Sequence, residues 1–274
     1  MQNRNGAVCV VYKPNVSQLI KAIKHYDSFF DELVIVDNSG GNNIELTEQV
    51  KLIRNVTYIP LHANKGIGKA QNIGLAALSD QIATVCFFDQ DSWASEKDLQ
   101  TLFTLFSVKA KENYGMLALS VHQSSEKEVK VDDVDEVISS GSAVLKSVFD
   151  KLGGFDENLF IDFVDYEFCW RMRSSGYRIG VIEGTHLHLH HQIDSETIHN
   201  HTRSAPFRNY YVFRNAILLL KQNRVFTRKG YILGLMAKRV AFELSFNNNR
   251  MKRVRFIVKG INDGLKGKNG EMLG

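Results

Sequence analysis

Asp89-Gln90-Asp91 sets two carboxylates one residue apart, directly after an apolar run and shortly before a helix cap at Ser95. At a strand end such a pair can serve a hard divalent cation and a ligand hydroxyl together, although acidic residues are also ordinary turn chemistry. Asp37 opens a turn (Asp37-Asn38-Ser39-Gly40-Gly41) behind another apolar run. With an acidic pair on a neighbouring strand end, it becomes a candidate acceptor for a nucleobase imide. Asp162, Asp165 and Glu167 lie on and before a helical stretch. Asp165 and Glu167 are two apart and so point to different sides of a helix. A carboxylate aimed into a cleft could accept the proton of an attacking hydroxyl, while helix N-terminal acids also favour the helix dipole.

Two further stretches carry candidate ligands. Residues 64–74 (NKGIGKAQNIG) lack the spacing of a dinucleotide fingerprint or a P-loop. Their glycines still permit close backbone approach at a helix N-terminus, where Lys65 or the amides could meet a phosphate. In the run His186-Leu187-His188-Leu189-His190-His191, strand alternation would align residues 186, 188 and 190 and turn His191 the other way. Three aligned imidazoles suggest zinc, but one histidine completing a Mn²⁺ or Mg²⁺ site with Asp91 is more economical. Imidazole suits Mn²⁺ better than Mg²⁺.

The elements that position these groups alternate. Residues 7–12, 32–37, 56–61 and 82–88 read as buried strands, with a fifth at 115–121. Between them, Asn15 caps a helix with Val16, Leu19, Ile20 and Ile23 on one face. A small-residue helix starts near Lys69, and Ser95 caps a helix with Leu99, Leu102, Phe103 and Phe106 on one face. This β-α-β-α order predicts a mostly parallel sheet flanked by helices, with ligands at the carboxyl ends of its strands. From about Val131 the style changes: residues 165–175 read as a helix ended by Gly176, and 177–184 as a strand.

The chain has 274 residues, 44% of them hydrophobic and 23% charged, which excludes a disordered protein. Cys9, Cys86 and Cys169 sit in apolar or helical stretches without CxxC spacing, which favours a reducing compartment. No stretch approaches the ~20 apolar residues of a membrane span, so a cytoplasmic address is expected. The formal charge of +4 is divided unevenly. Residues 203–274 hold 16 Lys/Arg against three acids, a net +13, which leaves −9 for residues 1–202. A basic extension of this kind attracts an anionic partner such as a membrane surface, or presents a solvated helical face. Tyr210, Tyr211 and Phe213 are spaced for helix packing rather than base stacking, so no nucleic-acid partner is expected.

Taken in order, VVYKPN, VIVDNSG, NKGIGKAQNIGL, FFDQDS, SSGSAVL, GGFDENLFIDFVDYEFCWR, LHHQID and RNYYVFRN resemble the family 2 inverting glycosyltransferases of the GT-A fold, in particular their rhamnosyltransferase-like branch. The resemblance spans about residues 6–225. It implies an α/β GT-A catalytic domain over residues 1–202, with a Rossmann-like nucleotide-sugar-binding half (1–125) and an acceptor and catalytic half (126–202). A basic helical extension (203–274) follows. It further implies that Asp37 binds the donor base, Asp89 the ribose or donor sugar, and Asp91 a Mn²⁺ or Mg²⁺ ion that His191 joins. Asp165 takes the place of the catalytic base, and Lys65 approaches the diphosphate. Arg208 and Arg214 resemble basic residues near the diphosphate or acceptor, with Arg214 the donor-binding candidate. Gln90 and Val164 stand where many members carry an acid. The expected reaction moves a hexose from dTDP-rhamnose or a UDP-sugar to a saccharide or lipid-linked saccharide for cell-surface polysaccharide, at the inner membrane face. A nucleotidyltransferase would share metal-bound nucleotide chemistry but would carry a basic glycine-rich signature near the first strand. A non-catalytic donor-binding subunit would need no Asp165.

Overall fold

A computed structural model of the chain describes residues 4–122, 128–189, 197–198, 201–202, 205–225, 229–246 and 249–272. Its centre is an eight-stranded sheet with the spatial order β3-β2-β1-β4-β8-β6-β9-β7. The strands are β1 Arg4–Val11, β2 Glu32–Asp37, β3 Val56–Pro60, β4 Ile82–Asp89, β6 Tyr114–Leu119, β7 Lys130–Asp133, β8 Ser142–Leu145 and β9 Arg178–Glu183. A short antiparallel pair, β5 Ser92–Ala94 with β10 Leu187–Leu189, stands beside it. β3, β2, β1 and β4 run parallel, as do β6 and β9, while β8 and β7 run against their neighbours. The mostly parallel sheet expected from the alternating pattern is therefore present.

Apolar side chains on both faces explain the unbroken hydrophobic strands. On β1, Ala7, Cys9 and Val11 enter one core layer, and Val8 and Val10 enter the other. The first layer is covered by α1 (Val16–Ile23) and α4 (Glu96–Lys109) through Leu19, Ile20, Leu99 and Leu102. Asn15 and Ser95 cap these helices, their side chains accepting the N–H groups of Gln18 and Asp98. The second layer is covered by α3 (Ile67–Ala76), α5 (Lys146–Leu152), α6 (Val164–Ser174) and α7 (Arg208–Lys221). One surface helix, α2 (Ile44–Val50), is capped by Asn43. All three cysteines are buried free thiols.

Beyond α7, α8 (Lys229–Phe246) and α9 (Arg250–Leu265) complete the chain. α9 packs along α7 at close range: a Cβ on Gly260 would lie 2.4 Å from the Tyr210 carbonyl oxygen, and one on Gly264 2.8 Å from that of Arg214.

The small residues of α3 serve the same purpose against the sheet. A Cβ on Gly74 would stand 2.4 Å from Val8 Cγ1 and 2.9 Å from Val36 Cγ2. Gly74→Ala therefore forces two sheet residues apart, and overpacking of about 1–3 kcal/mol outweighs alanine's helix advantage of about 1 kcal/mol. Urea denaturation should show a lower midpoint at unchanged slope.

Candidate active site

The parallel strands deliver Asp37 and Asp89 to one edge of the sheet. Asp37 closes β2 and Asp89 closes β4, on either side of β1, where they pair with Val11 and Val10. Two strand spacings separate them by about 10 Å. The Asp37 carboxylate is buried, accepting the Ser39 N–H at 2.9 Å and the Tyr58 hydroxyl at 2.8 Å. Next to it, Asn38 donates to Asn64 at 3.0 Å and accepts the Lys65 N–H at 2.7 Å. These bonds tie the β2 turn to the loop that starts α3. Gln90, where an acid is common, accepts the Tyr12 N–H at 2.7 Å and so links the ends of β4 and β1.

Asp89 and Asp165 meet in a cavity of about 370 Å³. Its polar wall is Asp89, Asp162, Asp165 and Arg208, and its apolar wall includes Ile67, Ile138, Ile161 and Val164. Two consecutive serines hold the two acids. The Ser139 N–H and hydroxyl both donate to Asp165, and the Gln71 amide donates to Ser139 Oγ at 2.8 Å. The next hydroxyl, Ser140 Oγ, accepts the Asp89 N–H at 3.1 Å and lies 2.6 Å from Ser92 Oγ. Ser92 in turn accepts the Asp89 N–H at 3.0 Å.

Crowded carboxylates dominate the electrostatics. Burial, then the charges of Asp165 and Asp91, push Asp89 up to about 7, with Arg208 opposing. Burial also raises Asp165, as does Asp162, against the two Ser139 hydrogen bonds. Desolvation works against the Arg208 charge, but Asp162 and Asp89 outweigh it and hold the guanidinium protonated. Arg208 pairs with Asp162 at 2.5 Å.

The remaining candidates divide. Asp91 lies two residues past Asp89 on the same turn, near enough to raise its pKa. Lys65 sits in the loop before α3. Glu167 faces away from the cavity and is buried against Arg171 and Arg224, at 2.7 and 2.5 Å. Arg214 does not reach the cavity. It is fully buried, and its guanidinium donates to the carbonyls of Leu159 and Gly270, each at 2.9 Å. Arg208, six residues earlier on α7, faces the cavity instead, because six residues carry a helix about 240° around its axis. His190 and His191 lie outside the described residues. His188 stacks on Trp93 at 3.7 Å, with His25 on that indole's other side at 3.9 Å. Among the described residues no three metal-ligating side chains cluster. Asp89 and Asp91 fit a divalent cation, since hard oxygen donors crowded by like charge gain most from one. No role is read for Ser139, Ser140, Gln71 or Tyr58 from sequence: the first three lie in SSGSAVL and NKGIGKAQNIGL, and Tyr58 is a polar tip inside an apolar strand.

Carboxylates at the carboxyl ends of parallel strands, around a cavity walled by a further carboxylate, fit a group-transfer enzyme of the α/β class. Comparison with known proteins narrows this. The family model "Glycosyl transferase family 2" matches residues 8–155, more than half of the chain, and the chain belongs to that family. It is a glycosyltransferase. Over 98% of both chains it is 29% identical to the dTDP-rhamnosyl transferase RfbF of Shigella flexneri. It is 23% identical to the low-salt glycan biosynthesis hexosyltransferase Agl10 of Haloferax volcanii, over 86% of this chain and 82% of that one. Among solved structures, S. aureus TarS 1–349 with UDP-GlcNAc superposes with a TM-score of 0.60 at 17% identity, covering 96% of this chain and 81% of that 1–349 chain. GalNAc-T7 with UDP, GalNAc and Mn²⁺ gives 0.61 at 13% identity, over 94% and 55%. These two share the GT-A fold.

The raised pKa of Asp89 has a measurable consequence. An acid whose folded pKa exceeds its unfolded value costs stability as pH rises through the interval between them, here from about 3.8 to about 7. Asp89→Asn removes that cost. The melting temperature of the variant relative to wild type should climb between pH 5 and pH 8, whereas a difference independent of pH would contradict the burial of this charge.

Proposed function

We propose that the protein is an inverting rhamnosyltransferase that moves a deoxyhexose from a nucleoside-diphosphate donor, dTDP-rhamnose before UDP-sugars, to a hydroxyl of a saccharide acceptor. The observation that carries this reading is the shared cavity of Asp89 and Asp165 at the strand ends, together with full-length similarity to a dTDP-rhamnosyl transferase. The apolar wall of Ile67, Ile161 and Val164 suits a sugar whose sixth carbon is a methyl group rather than a hydroxymethyl, because a hydroxyl there would lose its water without gaining a partner.

In this reading Asp37 accepts a hydrogen bond from the base imide, and Asp89 one from the ribose or the sugar. Lys65 and Arg208 face the diphosphate. Asp91, joined by His191, would hold a Mn²⁺ or Mg²⁺ ion that neutralises charge on the leaving diphosphate. The acceptor hydroxyl attacks the anomeric carbon while the bond to the diphosphate oxygen breaks, the leaving group keeping that electron pair. The hydroxyl proton passes to the ionised Asp165 carboxylate. The Ser139 hydrogen bonds support this role by favouring the ionised form against burial. A single displacement inverts the anomeric centre, so no carboxylate nucleophile of the retaining kind is needed.

Asp165→Asn should reduce transfer by about 10³-fold, within the range for loss of an acid–base group, and leave donor binding intact. Thermal shift against dTDP-rhamnose, UDP-glucose and GDP-mannose, with and without Mn²⁺, reads the binding; a metal-dependent shift specific to the dTDP sugar is expected. Transfer unchanged in the variant would remove Asp165 from the role, and a shift confined to another nucleotide would replace the donor.

A lipid-linked acceptor at an anionic membrane face fits the surface of α9. Met251, Val258 and Leu265 are exposed at seven-residue spacing, flanked by exposed Lys252, Arg255 and Lys266. No helix among the described residues is long and apolar enough to cross a membrane. Sedimentation with phosphatidylglycerol vesicles should show binding at low salt that fades as salt rises; no binding at low salt would exclude this acceptor geometry.

A further inference from the structure

The turn that leads into the Asp165 helix is strained. Phe160, Asp162 and Phe163 all take positive φ, at 62°, 63° and 64°, and Phe160, with ψ of −60°, centres a tight turn closed by the Ile161 N–H on the Leu159 carbonyl at 2.8 Å. None is glycine, and such residues persist there only where their surroundings over-determine them. On one side, the Ile67 N–H donates to the Phe160 carbonyl at 2.7 Å, at the start of α3. On the other stands α7. Arg208 pairs with the Asp162 carboxylate, and Tyr211 stacks on Phe160 at 5.2 Å and 12°. Arg214 donates to the Leu159 carbonyl. The Asn215 amide nitrogen donates to three carbonyls: Leu159 at 3.0 Å, Ile161 at 2.9 Å and Asp162 at 2.8 Å.

Residues 208, 211 and 215 share a helix face by their three-, four- and seven-residue spacings, so this part of RNYYVFRN reads the turn residue by residue. Asn215 is fully buried, and its Oδ1 finds no partner among the described residues. Leaving one end of a buried amide unpaired is costly, and it is tolerated here while the other end engages three carbonyls.

We propose that Asn215 is a positioning residue for transfer: from outside the sheet it fixes the 159–163 turn in the conformation that aims Asp162 and Asp165 into the cavity. The inference rests on the reading of Asp165 as base. Asn215 touches no reacting atom, and its effect falls on the geometry of the base rather than on donor contacts at Asp37.

The test compares Asn215→Ala and the isosteric Asn215→Asp, which loses both donor hydrogens, with Asn209→Ala. Asn209 is also fully buried on α7, but its side chain accepts from Arg239 at 3.0 Å and makes no hydrogen bond to the turn among the described residues. The readout is release of nucleoside diphosphate from dTDP-rhamnose, UDP-glucose or GDP-mannose, whichever wild type cleaves fastest. Both Asn215 variants should lose about 10²-fold in kcat, the scale expected when a catalytic group is misplaced by an ångström, with donor KM little changed. Asn209→Ala should lower the melting temperature while keeping kcat near wild type. If the Asn215 variants do not fold, Tyr211→Leu, which removes the ring stacked on Phe160, carries the same expected split. Wild-type kcat in the variants, or an equal kcat loss in Asn209→Ala at equal loss of melting temperature, overturns the proposal. Asp165→Asn run alongside separates the two ideas: if it is inactive while Asn215→Ala is normal, only the positioning role fails, and if it is active, the base assignment fails.

Discussion

Three carboxylates gathered at one end of a sheet repel one another, and the structure around the cavity is organised by the need to hold them there. Asp89 is buried and stands near enough to Asp165 and Asp91 to feel both charges, which together push its carboxyl up to about 7. Unrestrained, such groups would rotate toward water. Here Ser140 and Ser92 both accept the Asp89 N–H and fix its backbone, and Ser139 donates twice to the Asp165 carboxylate. One cation, Arg208, enters the same cavity. Residual negative charge fits a site that receives a cation with its diphosphate, because binding then removes a repulsion already present.

Topology brings the serines to this place. β8 runs antiparallel between β4 and β6, the one reversal inside the otherwise parallel middle of the sheet. The segment entering β8 must therefore pass the carboxyl end of β4, where Ser140 bridges to Phe87 and the Gly141 N–H donates to the Phe87 carbonyl at 2.8 Å. Gly141 takes a φ of +71°, and a Cβ there would meet Leu187 at 2.6 Å. The glycine of SSGS thus lets the chain turn tightly enough for adjacent serines to address acids from different elements.

Much of this was legible in the residues. Strands buried on both faces are unbroken apolar runs, so β1, β2, β3 and β4 stand close to the stretches read from their pattern, and Asn15 and Ser95 cap the helices expected of them. Asp37, Asp89 and Asp165 could be picked out because each follows such a run or opens a helix. The strand β8 could not: four residues of Ser-Ala-Val-Leu carry too little periodicity to declare a direction. That Arg208 rather than Arg214 lines the cavity was hidden for a related reason. Which side of α7 meets the cavity depends on the rotation of the helix about its axis, and that is set by packing against the 159–163 turn and α9, both distant in sequence. The positive φ at Phe160, Asp162 and Phe163 runs against local preference, so only tertiary contacts disclose it.

The charge asymmetry acquires a structural meaning from α7. A net −9 over residues 1–202 and +13 over residues 203–274 could describe two solvated surfaces that ignore each other. Instead the basic segment sends Arg208 into the acidic cavity and Arg224 to buried Glu167, and Arg214 donates to the Leu159 carbonyl of the turn before α6 and to that of Gly270. Within the helical extension, Glu243 joins Arg239 and Arg253 at 3.1 and 2.8 Å. The cations left exposed on α9 flank its apolar stripe rather than the cavity. One segment thus compensates acids at its inner end and presents positive charge at its outer end. Removing it would expose the underside of the turn that carries Asp162 and leave Glu167 a buried carboxylate with one fewer partner, so the sheet half is electrostatically incomplete without its basic helices.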